Sequence, residues 1–222
     1  MLISISTAVV LAGLVTQDRP VEKFTQVRME GGIEATVHRG AKPALKLTSE
    51  AKTLERLESV VENGVLVLRY KEKSWFKGDG TVQADITVTE LTHVEASGGC
   101  TLKGDGLSGP TCGIDISGGV EVDLKSAVCE ALTIKSSGGT KVKLKGTAKR
   151  LDVDASGGSD LDTRELFAQA AKIEGSGGFV GKVSVVESVE GGLSGGASLK
   201  VRGNPKTRKV ETSGASSISY EK

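Results

Sequence analysis

Residues 114–124 read Ile114-Asp115-Ile116-Ser117-Gly118-Gly119-Val120-Glu121-Val122-Asp123-Leu124. Residues 134–144 read Ile134-Lys135-Ser136-Ser137-Gly138-Gly139-Thr140-Lys141-Val142-Lys143-Leu144. The two segments share a pattern rather than a composition. Apolar or small residues sit at −3, −1, +3, +5 and +7 from the Ser of each Ser-Gly-Gly, and polar residues lie between them. Strict alternation of this kind marks a strand with one buried face. The Gly pair divides each unit into two strands with a bend, because glycine takes backbone angles that other residues avoid.

Working outward, Ser-Gly-Gly starts at Ser97, Ser117, Ser137, Ser156, Ser176 and Ser194, and Ser213-Gly214-Ala215 closes the series. The spacings are 20, 20, 19, 20, 18 and 19 residues, and Glu30-Gly31-Gly32 opens an earlier unit of the same kind. A repeat of this length fits either an antiparallel meander or a parallel solenoid. The charges decide between them. Positions +4 and +6 read Glu121/Asp123, Lys141/Lys143 and Asp160/Asp162 in successive units, and position −4 reads Asp152, Lys172, Glu190 and Lys209. Equivalent positions stack about 4.8 Å apart in a parallel solenoid, where alternating signs attract and like signs repel. A meander would not bring them together. The expected fold is all-β: a single-stranded parallel β-helix with rungs of about 20 residues.

Before Ser97 the pattern loosens. Val27, Met29, Ile33, Ala35 and Val37 make a first rung around Gly31-Gly32, and Leu45 and Leu47 make a strand. Leu54, Leu57, Val60 and Val61 have helical spacing, which predicts a short helix over residues 51–60 with Ser49 or Thr48 as its N-cap. This helix is placed to plug the N-terminal end of the solenoid. Asn63-Gly64 marks a tight turn, residues 71–80 an exposed loop, and Val82, Ala84, Ile86 and Val88 another strand. Residues 1–17 carry an apolar run too short to span a bilayer and read as a signal peptide, leaving one solenoid domain over 18–222. That assigns the mature chain to an extracytoplasmic place: periplasm, cell surface or medium.

The 222 residues carry 29 Lys and Arg against 28 Asp and Glu, a net charge of +1. Nucleic-acid binders carry a basic stripe, so this balance excludes that class of partner. The acidic stretch Asp152, Asp154, Asp160 and Asp162 invites a calcium reading, but Lys141, Lys143, Lys172 and Lys182 stand beside it and a salt ladder accounts for it. His38 and His93 are the only histidines. No Ser-His-Asp or metal-type spacing includes them, and no cluster of aromatics marks a sugar-cleaving groove. Neither cofactor, metal nor catalytic residue is expected. His93 falls at an outward position and is expected to be solvated.

Two features remain for ligands and redox chemistry. Trp75 and Phe76, between Lys73 and Lys77, are an aromatic pair suited either to partner or glycan contact or to capping the solenoid edge. Cys100 and Cys112 are at inward positions, and Cys129 lies in a corner near Cys112 one rung earlier. A Cys112–Cys129 bridge between adjacent rungs would leave Cys100 as an unpaired core thiol.

With its closing Val201-Arg202-Gly203-Asn204-Pro205-Lys206 step and its opening Gly31-Gly32-Ile33-Glu34-Ala35, the chain from about residue 24 onward resembles the bacterial head GIN domain family, named for auto-transporter adhesins. It departs from the family in having Glu34 where the name motif has Asn, and Ser-Gly-Gly where longer Ser-Gly-x-Gly bends are usual. The resemblance implies a right-handed helix and an adhesin-like role. Autotransporters also need an outer-membrane barrel with aromatic girdles, which the seven aromatics here do not supply. The expected function is thus a non-catalytic envelope or surface binding module for a protein or polysaccharide. The alternatives are a polysaccharide-acting β-helix enzyme and a self-associating structural solenoid.

Overall fold

The computed structural model describes residues 9–11, 13–71 and 80–221, the first three by backbone alone. Strands β1 (Val9–Leu11) and β2 (Leu14–Arg19) form an antiparallel pair at the N-terminus. Next come β3 (Gln26–Glu30) and β4 (Ile33–Arg39), the two arms of the first rung around Gly31-Gly32. β5 (Ala44–Ser49), α1 (Ala51–Arg56), β6 (Leu57–Glu62), β7 (Val65–Tyr70) and β8 (Val82–Val88) follow. The regular region holds β9 (His93–Ser97), β10 (Thr101–Asp105), β11 (Ser108–Ser117), β12 (Glu121–Ser137), β13 (Lys141–Ala155), β14 (Asp160–Gly175), β15 (Val180–Leu193), β16 (Ser198–Arg202), β17 (Thr207–Thr212) and β18 (Ser217–Glu221). Together they make a β-solenoid of about six turns with rungs about 20 residues apart.

Every pairing from β9 to β18 is parallel. The register stacks like positions on like. Glu121 pairs with Lys141 and Lys141 with Asp160; Asp123, Lys143, Asp162 and Lys182 align in one column. Asp152, Lys172, Glu190 and Lys209 align in another. The charge ladder read from the repeat is therefore physical. The inward columns are equally regular, with Ile114, Ile134, Val153 and Ile173 in line and all buried. Each such side chain contributes roughly 1.5–3 kcal/mol on burial. The Ser-Gly-Gly bends stack too. Gly157 has φ +75°, and a Cβ there would lie 3.0 Å from the Gly138 nitrogen, so a side chain at the first glycine of this bend is strained.

At the N-terminal end the chain leaves sequence order. After β4 it runs back as β5, crosses α1 and the β6–β7 hairpin, and returns through β8 before resuming at β9. β7 and β8 thereby form a rung that packs in parallel against β3 and β4, on the side away from β9 and β10. β5 and β6 pair antiparallel to β8 and β7, and β2 pairs antiparallel to β5, so the end of the ladder is closed by strands of opposite direction. The expected helix over 51–60 stops at Arg56. Val60 and Val61 belong to β6, drawn into a hairpin by Asn63 (φ +52°) and Gly64 (φ +78°). The N-cap is Glu50, without a side-chain cap bond, in place of Ser49 or Thr48. The Ser49 hydroxyl donates instead to the Thr81 carbonyl at 3.0 Å, and Thr48 Oγ1 bonds Thr16 Oγ1 at 2.9 Å.

At the other end, β17 and β18 each pair on one side only. Arg208 lies over the Tyr220 ring, 4.4 Å from its centre, and donates from Nε to the Pro205 carbonyl at 3.0 Å and from its terminal nitrogen to Asn204 Oδ1. The Gly-Asn-Pro step thus positions a cation across the last aromatic of the core. No helix among the described residues is long and apolar enough to cross a membrane.

Candidate binding face

The residues expected to carry function fall into three groups. Trp75 and Phe76 lie outside the described residues. The four acids of the calcium reading do not converge. Asp152 is held by Arg150 at 2.7 Å and Asp162 by Arg164 at 2.6 Å, while Asp160 stands in the column of Lys141. Among the described residues, no group of three or more His, Cys, Asp or Glu could hold a metal ion. His93 is half-buried rather than freely solvated. Its Nε2 lies 3.0 Å from Asp115, and the ring occupies space left by Gly113, where a Cβ would come within 2.2 Å of Nδ1. The third group is the cysteines. All three thiols are free and buried, and Cys112 and Cys129 adjoin.

The structure draws attention to another place. Of the large apolar side chains that are exposed, Val128 (60%), Phe167 (56%) and Val186 (54%) lie on one outward strip. The ladder puts Ser108, Val128, Thr147, Phe167 and Ser184 in one column, and Val186 borders the same depression from beside Val185, the partner of Ala168. The intervening inward residues Cys129, Ala148, Ala168 and Val185 are buried. Small residues there let the surface dip, and the dip has a volume of about 800 Å³. Val128 and Phe167 lie two rungs apart in this column, with Thr147 between them.

Paired charges flank the strip. On one side Lys149 Nζ meets Glu130 Oε1 at 2.7 Å, and on the other Lys145 Nζ meets Glu165 Oε2 at 2.8 Å. Hydrogen bonding to Lys149 and Lys145 holds the Glu130 and Glu165 carboxyls below their ordinary range, and Glu165 raises Lys145 in return. Both flanks are therefore ionised and electrically balanced at neutral pH. Gln169 and Thr147 add uncharged hydrogen-bonding groups within the same depression. Such a surface combines an apolar floor, one aromatic ring and neutral-sum polar edges.

A second concavity follows the Ser-Gly-Gly bends. Glu95, Asp115, Lys135 and Asp154 form one bank and Ser97, Ser117, Ser137 and Ser156 the other. It continues past Asp154 to Glu174 and Glu211, beside Ser176, Ser194 and Ser213. Its hydroxyls and charges repeat with each rung, and it has no exposed apolar floor.

The family model described as "Putative auto-transporter adhesin, head GIN domain" matches residues 23–205. This chain belongs to the head GIN domain family. Crystal structures of similar fold come from Bacteroides and Parabacteroides proteins of low identity. A putative adhesin from Bacteroides fragilis NCTC 9343 superposes with a TM-score of 0.88 at 21% identity, covering 95% of this chain and 98% of that one. A putative lipid binding protein from Parabacteroides distasonis ATCC 8503 gives 0.73 at 15% identity, over 95% and 98% of the two chains. A putative adhesin from Parabacteroides merdae ATCC 43184 gives 0.66 at 16% identity, over 95% and 97%. At these identities the likeness establishes the fold. No curated protein matches the chain.

Val128, Phe167 and Val186 escaped the reading of the repeat. They stand ten or eleven residues after the Ser of their units, beyond the +7 position to which the alternation was followed. Register shifts between Leu124 and Ala127 and between Lys143 and Lys145 change the inward phase just before them.

Proposed function

We propose that this head GIN protein is a non-catalytic binding module of the cell envelope that holds a polysaccharide chain along the Val128–Phe167–Val186 strip. The observation that carries this reading is the alignment of those exposed apolar side chains between balanced ion pairs. The apolar face of a sugar ring is stabilised on an aromatic such as Phe167, while its hydroxyls bond to edge groups such as Gln169, Glu130 and Lys149. An extended polymer chain fits a depression that crosses several rungs, from Ser108 through Val128 and Thr147 to Phe167 and Val186. Net neutrality at the edges favours an uncharged glycan over a polyanion. The absence of a convergent acid–base pair on the strip makes retention without cleavage the expected outcome.

Export by residues 1–17 is part of the same proposal, with the protein placed outside the cytoplasm. Removal of that segment would take β1 and most of β2 from the outer edge of β5 and leave Arg19, whose terminal nitrogen donates to the Leu54 carbonyl at 3.0 Å, as the last clasp at that corner. The test is co-sedimentation of the purified protein with insoluble bacterial and plant polysaccharides, with reducing and unsaturated ends assayed in the supernatant. Retention of wild type, weakened in Phe167→Ala and free of new ends, supports the reading. New chain ends would identify an enzyme, and absence of retention across the panel would turn the search to protein partners.

A further inference from the structure

We infer that Cys112 and Cys129 are a disulfide-forming pair that staples two successive rungs at the corner beneath the apolar strip. The ladder brings them together although they are not direct partners. Gly109 of β11 pairs with Cys129 of β12, so the two backbones lie roughly 4.8 Å apart at that level. Cys112 turns its thiol back onto this level, with Sγ 3.8 Å from the Gly109 carbonyl oxygen. The Cys129 Sγ lies 3.9 Å from the carbonyl oxygen of Leu107, two residues before Gly109 at the entry to β11. Both sulfurs therefore occupy one corner of the interior, within interaction reach of each other.

The contact with Cys129 pulls the Cys112 thiol below its ordinary value, and the same contact together with burial pushes Cys129 up, which marks the two thiols as neighbours. Cys129 is 6% exposed and borders the surface depression, whereas Cys112 is 2% exposed. Cys100 is not part of the pair. Its thiol donates to the Ser97 carbonyl at 3.2 Å on the Ser-Gly-Gly bend, and burial raises it.

The oxidant is an external disulfide of the glutathione class. The thiolate of one cysteine of the pair attacks one sulfur of oxidised glutathione and expels one glutathione. The other cysteine then displaces the second glutathione from the mixed disulfide as it gives up its proton. Two chain thiols are oxidised, one glutathione disulfide is reduced to two thiols, and the two protons end on the released glutathiones. Because both sulfurs are buried in the finished fold, the bond forms during folding, before the corner closes.

The experiment refolds the denatured full chain with an excess of oxidised over reduced glutathione, then counts thiols in denaturant and maps the digest by mass spectrometry. One free thiol, against three after reduction, and a peptide pair joined through Cys112 and Cys129 are expected. The Cys100→Ala variant should then show none, and Cys129→Ser two with no linked peptide. Three free thiols, a stable glutathione adduct, or a bridge that includes Cys100 would each overturn the assignment.

Discussion

Replacing Gly146 by Ala tests the stacking of the rungs at its tightest point. Gly146 is the ladder partner of Ala127 on one side and Leu166 on the other, at φ +137°. A Cβ built there falls 1.9 Å from the Ala127 carbonyl oxygen and 2.7 Å from its carbon and nitrogen. The obstacle is backbone already committed to the ladder, so no side chain can swing aside to relieve it. Backbone strain at such an angle costs about 1–3 kcal/mol. Moving Ala127 away loses one or two ladder hydrogen bonds at roughly 0.5–1.5 kcal/mol each. Together these give a destabilisation of about 1.5–6 kcal/mol, or on the order of 10 °C in Tm for a chain of this size. Gly139→Ala is the control, since its nearest contact is the Gly118 carbonyl oxygen at 4.0 Å and its φ is not in the left-handed range. Its effect should stay below about 1 kcal/mol. Urea unfolding followed by circular dichroism, with the m-value held constant, gives both numbers. A Gly146→Ala variant within about 1 kcal/mol of wild type would refute the reasoning, because the rungs would then be free to separate.

Leu144 is fully buried in the inward column with Leu124, and Leu144→Ala should cost about 2–5 kcal/mol in the same urea assay. Asp162 is held below its ordinary carboxyl range by the Arg164 side-chain hydrogen bond first, with help from the Arg164 backbone N–H and its charge. A depressed folded value means that this stabilisation is present above the unfolded carboxyl range of about 3.9 and is lost as pH falls through the folded value. Arg164→Ala should therefore melt below wild type at pH 7, with the gap closing under about pH 4; a gap independent of pH would show that Arg164 acts by packing.

The repeat was legible because it imposes two independent regularities on the same residues. Alternation around each Ser-Gly-Gly placed Ile114, Val122, Val142 and Val153 inside, and sign reversal at Glu121, Lys141 and Asp160 required parallel stacking. The N-terminal cap was legible only in pieces. Leu54 and Leu57 have helical spacing yet are divided between α1 and β6, since two β-branched residues and an Asn-Gly turn favour a hairpin over further helix. Nothing local announces that β7 and β8 form a rung, because no Ser-Gly-Gly lies between them in sequence and they join the ladder out of chain order. The apolar strip was hidden at Val128 by the corner at Ser126, whose φ of +60° and associated register shift break the period of two just before it. The Cys112–Cys129 proximity was visible from repeat position, whereas the inward turn of Cys112 onto Gly109 required the fold.

The most direct measurement is affinity electrophoresis of wild type and Phe167→Glu through gels containing a polysaccharide that sediments with the wild-type protein. Phe167 is more than half exposed, so the charge can be introduced without disturbing the core, and equal Tm values for the two proteins would check this. Retarded migration of wild type, restored mobility of Phe167→Glu and an uncut polysaccharide are the predicted results. Equal retardation of the two proteins would contradict the placement of the ligand on this strip, and shortened polysaccharide would contradict a binding role without chemistry.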